Sequence, residues 1–139
     1  MTLLVVDASV AVKWVCDEEH SARAAGILGA HDLTAPGLLY SEVASALARR
    51  AAAGDFDTDA ALRKMRMIVR AGVTTVPDEL LACGAISLSG VLRHPVYDCF
   101  YLALAIAEET RVVTADRALI AAAEAGGYGE CVVWVEDAE

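Results

Sequence analysis

Apolar positions along this chain fall into two kinds of run. Short, continuous, β-branched runs alternate with longer stretches whose apolar residues recur at helical spacing. Leu3 to Val6 is of the first kind and predicts a strand buried on both faces, as in a parallel sheet. Helical spacing follows from Ser9 to about Asp17 and from Ser21 to about Gly29. An extended piece at Asp32 to Ala35 ends at Pro36, whose ring disfavours helix in Ala35. Residues 37 to 53 predict a helix stopped by Gly54. Asp57 or Thr58 opens another, through Leu62, Met65, Ile68 and Val69 to Gly72.

Val73 to Val76 predicts a second strand, and Pro77-Asp78-Glu79 opens a helix to about Arg93. His94-Pro95 breaks the chain. Asp98 to Glu109 reads as helix, Arg111 to Thr114 as strand, Asp116 to Ala125 as helix and Cys131 to Val135 as a last strand. Strands alternating with helices predict an α/β fold with a mostly parallel sheet. With no repeat, linker or low-complexity tract, 139 residues predict one domain, 1–139.

Four acidic residues stand where a carboxylate needs a reason to be: Asp7, Glu42, Asp98 and Asp116. Asp7 and Asp116 lie just past predicted strands, at the sheet edge where open α/β sheets bind ligands. Glu42 sits at the margin of an apolar helix stripe, and Asp98 opens an apolar helix. Each also fits a plainer role. Asp7, Asp98 and Asp116 could cap helices, and Glu42 could pair with Arg49 or Arg50. Asp98 has Tyr101 three residues on, so no capping box forms. Taken together, four carboxylates fit a divalent-metal site, because Mg²⁺ and Mn²⁺ prefer oxygen ligands. Such a site lowers the pKa of water and holds phosphoryl oxygens, which is the chemistry of phosphodiester hydrolysis. Spacing leaves open whether the four meet in space.

The net charge of −9 argues against non-specific wrapping of nucleic acid, which relies on many Lys and Arg contacts. It leaves room for a nuclease, since a cation in an acidic pocket presents positive charge to a phosphate. Cys16, Cys83, Cys99 and Cys131 are scattered, with no metal or redox spacing, and read as buried thiols in a reducing compartment. The longest apolar run, Cys99 to Ala107, is too short to span a membrane, and a cytoplasmic protein is expected.

The stretches Val5-Val6-Asp7-Ala8-Ser9, Leu39-Tyr40-Ser41-Glu42-Val43, Tyr97-Asp98-Cys99-Phe100-Tyr101-Leu102-Ala103-Leu104-Ala105 and Thr114-Ala115-Asp116 resemble, in order and spacing, the motifs of the PIN-domain family. Within it, the chain is most similar to the small VapC-type toxins. The resemblance implies a Rossmann-like α/β/α sandwich with a parallel sheet of four or five strands. It implies a Mg²⁺-dependent endoribonuclease in which Mn²⁺ can substitute. It also implies an RNA substrate, a cognate antitoxin partner and a homodimer. Carried over by position, Asp7, Glu42, Asp98 and Asp116 would bind metal, with Ser9 and Thr114 supporting them. The helices at residues 9–29 and 37–53 would form the antitoxin groove.

Among basic residues, Arg49 and Arg50 lie beyond Glu42 on its helix and are candidates for RNA phosphate. Lys13, beside Trp14, is a weaker candidate, since a solvated Lys and a core Trp are the commoner outcome. His20, His31 and His94 share no metal spacing and are expected to be incidental. Two other functions compete: a PIN nuclease of RNA maturation with no toxin role, and a Mg²⁺-binding signalling module on a flavodoxin-like sheet. The second would want an acidic pair at the first strand and a Lys after a late one. Here Val6 and Ala8 flank Asp7, and Arg117 is the basic residue near the late strand.

Overall fold

The run Leu3–Val6 forms β1, the central strand of a five-stranded sheet, in the computed structural model, which describes residues 2–139. The other strands are β2 (Asp32–Pro36), β3 (Thr74–Val76), β4 (Val112–Thr114) and β5 (Val132–Trp134), and every pairing is parallel. Leu4, Val5 and Val6 are all buried, so both faces of β1 are covered. That is why the run is continuously apolar and does not alternate.

The spatial order is β3-β2-β1-β4-β5. The chain builds outward from β1 through β2 to β3, then returns to lay β4 on the other side of β1. The order therefore reverses between β1 and β4. A crevice forms at such a reversal, outside the carboxyl ends of the strands. Val6 is in register with Val113, so the residues after β1 and β4 emerge side by side there.

Seven α-helices accompany the sheet among the described residues: α1 (Ala8–Ala11), α2 (Ser21–Ala30), α3 (Leu38–Ala52), α4 (Thr58–Val69), α5 (Ala82–Leu92), α6 (Val96–Ala107) and α7 (Arg117–Ala125). α6 packs along β1, β2 and β4 and against α5, while α1 meets α2 and α3. The result is the expected α/β/α sandwich around an aliphatic core of Leu4, Val5, Val43, Leu47, Leu102 and Leu104. No described helix is long and apolar enough to cross a membrane.

Three boundaries differ from the sequence expectation. The helix expected from Ser9 to Asp17 is short, and Val12–Trp14 tightens into a 3₁₀ turn. There the Trp14 indole N–H donates to the Ala24 carbonyl at 2.9 Å, which ties the turn to α2. The helix expected from Pro77 is split into a 3₁₀ turn at Asp78–Leu80 and α5, because the Asp78 side chain accepts the Leu38 N–H across the gap to α3. α6 begins at Val96 and not at Asp98. Pro95 stands at its N-terminal boundary with φ −50°, where a fixed φ and a missing N–H cost nothing.

Candidate functional site

Asp7 leaves β1 at the N-cap position of α1, yet its side chain caps nothing. Its Oδ2 accepts two hydroxyls instead, Ser9 Oγ at 2.6 Å and Thr114 Oγ1 at 2.8 Å. Those hydroxyls accept in turn from the backbone, Ser9 from the Ala115 N–H and Thr114 from the Asp116 N–H, each at 3.0 Å. With their lone pairs engaged by amides, both hydroxyl protons are directed at Asp7. The carboxylate is thereby fixed through one oxygen. Asp7 is only 4% exposed. Burial pushes its pKa up to about 7, against the two hydroxyls, and the charges of Asp98 and Glu42 push the same way as burial.

Asp116 follows β4 and starts α7. Its Oδ1 accepts the Ala118 N–H at 2.9 Å, so the cap expected from sequence is present. One carboxylate can cap with one oxygen and offer the other elsewhere. Asp98 lies in the first turn of α6 and makes no cap. Its Oδ2 meets His94 Nε2 at 2.6 Å, one helical turn back along the chain. One ligand atom from each of His94, Asp98 and Asp116 falls within 4.8 Å of the others. Burial raises the Asp98 pKa, the His94 hydrogen bond and charge oppose this, and Asp116 adds to the rise.

Glu42 projects from α3, half-buried, and its Oε1 accepts the Tyr101 hydroxyl at 2.6 Å. It does not pair with Arg49 or Arg50. Tyr101 comes from α6 and is fully buried. Burial, followed by the charges of Asp7 and Glu42, pushes its phenol far up, so it stays a donor. Burial raises Glu42 too, opposed by Tyr101 and reinforced by Asp98 and Asp78.

Among the described residues, no lysine or arginine pairs with any of these four carboxylates. Lys13 pairs with Glu18 at 3.0 Å and its side chain is 10% exposed, so it is not free for a phosphate. Arg50 is likewise held by Glu18 and Asp55. Arg49 is exposed and donates only to Ser45, one turn back. It lines an open groove with Leu38, Ser41, Glu42, Ser45 and Tyr97.

Two participants were not legible as such in the sequence. His94, expected to be incidental, is in contact with the cluster. Tyr101, inside an apolar run, orients Glu42. His20 does have a packing role, edge-on to Trp134.

The donors fit a divalent cation. Three half-buried or buried carboxylates share each other's field with no lysine or arginine beside them among the described residues, and burial holds their pKa values up. A cation would remove that repulsion, and hard carboxylate oxygens suit one that keeps several waters.

The sequence model of the PIN domain family matches residues 4–125. No curated protein sequence matches the chain. Among solved structures, the crystal structure of PAE2754 from Pyrobaculum aerophilum superposes with a TM-score of 0.71 at 23% identity, covering 97% of this chain and 90% of that one. At that identity the likeness concerns the fold.

Proposed function

The chain belongs to the PIN domain family, whose members are generally metal-dependent nucleases, and on that premise we propose that it is an endoribonuclease using Mg²⁺ or Mn²⁺. We further propose that it is a VapC-type toxin of a type II toxin–antitoxin system. The observation that carries the nuclease reading is the convergence of Asp7, Glu42, Asp98 and Asp116 at the β1/β4 crevice with no lysine or arginine partner among the described residues.

Asp7, Asp98 and Asp116 would hold the cation, with Glu42 completing the acidic wall. A bound cation supplies a lowered pKa for water and neutralises charge on phosphoryl oxygens. The protein's own contribution is positional. Ser9 and Thr114 lock Asp7 by one oxygen, the α7 N-terminus locks Asp116 by one oxygen, and Tyr101 locks Glu42. Arg49, which lines the same groove as Glu42, would supply positive charge for an RNA phosphate. The signalling-module alternative loses its one basic candidate, because the Arg117 guanidinium is stacked 3.6 Å over the Trp134 ring.

Partner proposals rest on exposed apolar surface. An open groove between α3 and α4, lined by Ala44, Leu47, Ala48, Leu62 and Met65, suits an amphipathic antitoxin helix. This proposed site uses the 37–53 helix together with α4, where the family resemblance implied residues 9–29 as its companion. Exposed Leu80, Ile86 and Val91 offer apolar area for a homodimer.

Induced expression in a bacterial host tests the toxin role. Growth arrest by the wild type, relieved by Asp116→Asn, is expected. Normal growth alongside RNA cleavage in vitro would instead favour an RNA-maturation nuclease.

A further inference from the structure

We propose that His94 supplies a nitrogen ligand to the cation held by Asp98 and Asp116, making this a mixed nitrogen–oxygen site that selects Mn²⁺ and later first-row ions over Mg²⁺. The inference rests on the nuclease reading above and adds the identity of the ion.

The chain spends local structure on placing this imidazole. α5 ends at Leu92, and Arg93 takes the left-handed conformation with φ 52°, which is uncommon for a residue with a side chain. The Ser89 hydroxyl donates to the His94 carbonyl at 2.7 Å and closes the turn. Pro95 then sets the entry into α6. His94 is thereby placed four residues before Asp98 with its ring over the same helix face, and only 10% of its side chain is exposed.

Its Nε2 lies 2.6 Å from Asp98 Oδ2, and one ligand atom from each of His94, Asp98 and Asp116 lies within 4.8 Å of the others. Two ligands bound at about 2.1 Å to one small cation stand about 3–4 Å apart, depending on the angle between them. The triad is therefore close to ligand spacing already. Opening the His94–Asp98 contact by a few tenths of an ångström, with the shared proton released to solvent as the cation binds, frees the Nε2 lone pair for the cation. Neutral imidazole adds nothing to charge crowding at the site, unlike a fifth carboxylate.

The donor change sets the selectivity. Mg²⁺ prefers oxygen and keeps its waters, so an imidazole adds little to its binding. Affinity for nitrogen donors climbs along the series from Mn²⁺ to Co²⁺ and beyond. The expected signature is at least about tenfold tighter binding of Mn²⁺ than Mg²⁺, widening for Co²⁺.

The test uses the full chain stripped of metal and titrated with Mn²⁺ and Mg²⁺, for wild type and His94→Gln, with circular dichroism confirming the variant's fold. Electron spin-echo modulation of bound Mn²⁺ then reports directly whether a ¹⁴N nucleus is coordinated. Nitrogen coupling is expected in the wild type and absent in His94→Gln. The variant should lose Mn²⁺ affinity by about ten- to a hundredfold while Mg²⁺ binding changes less than about threefold. Wild-type Mn²⁺ binding without nitrogen coupling, or coupling that survives in His94→Gln, would overturn the inference and leave the nuclease reading standing. No Mn²⁺ binding even at millimolar concentration would overturn both.

Discussion

Replacing the buried Asp7 carboxylate by an amide should stabilise the metal-free protein, and more so as the pH rises. Asp7→Asn keeps the shape and an oxygen that can accept Ser9 and Thr114. In the wild type, burial lifts the Asp7 pKa from 3.8 to about 7. The folded state therefore holds this proton more tightly than the unfolded chain, and stability falls with pH between those values. Above the folded pKa the full penalty is present, about 4 kcal/mol for that displacement. At pH 5 only about 1–2 kcal/mol of it has developed, so about 2–3 kcal/mol more accrues by pH 8. An amide does not titrate and escapes this loss. Glu42 and Asp98, whose pKa values are also raised, are present in both proteins and largely cancel in the comparison. At about 3–4 °C per kcal/mol for a domain of this size, the melting-temperature advantage of Asp7→Asn should widen by about 8 °C from pH 5 to pH 8. Thermal melts in EDTA measure it. A difference that stays flat or shrinks across that range would refute the claim that Asp7 is a buried, crowded carboxylate. Saturating Mn²⁺ should reverse the order, because only the wild type gains the full benefit of the cation.

Tyr101→Phe removes the donor to Glu42 and should lower stability by about 1 kcal/mol, read as a fall in melting temperature, while weakening cation binding. Thr114→Val is nearly isosteric but strips Asp7 of one donor and the Asp116 N–H of its acceptor. It should cost about 2–3 kcal/mol in denaturant titration and carry the Asp7 titration upward. Arg49→Ala should weaken RNA binding several-fold and reduce its salt dependence by about one phosphate contact, with little change in melting temperature. Lys13→Ala should do neither to the same degree, because Lys13 is already paired with Glu18.

Much of the fold can be read from the chain because the sheet is buried on both faces. Leu3 to Val6, Val112-Val113 and Val132-Val133 are runs that solvent exposure would have interrupted. Asp7 and Asp116 are legible for a related reason, since a polar residue ending such a run marks a strand's carboxyl end. The double role of Asp116, capping α7 with one oxygen while facing Asp98, is tertiary information. So is the cradle in which Ser9 and Thr114, far apart in sequence, share one oxygen of Asp7. His94 is obscured because Pro95 follows it and reads as a break. In the structure that proline starts α6, which puts His94 at helical spacing to Asp98. Tyr101 is obscured because it is also a core residue. Its hydroxyl finds Glu42 across a sequence separation that no local pattern encodes. Lys13 and Arg50 look available for phosphate until Glu18 is placed between them.

The most direct test of the central claim is cleavage of a mixed panel of transfer, ribosomal and messenger RNA by wild type and Asp98→Asn, with Mg²⁺ or Mn²⁺ against EDTA. The account predicts cutting by the wild type that requires the cation and is lost in a variant still fully folded by circular dichroism. Cutting that persists in EDTA or in Asp98→Asn would contradict it.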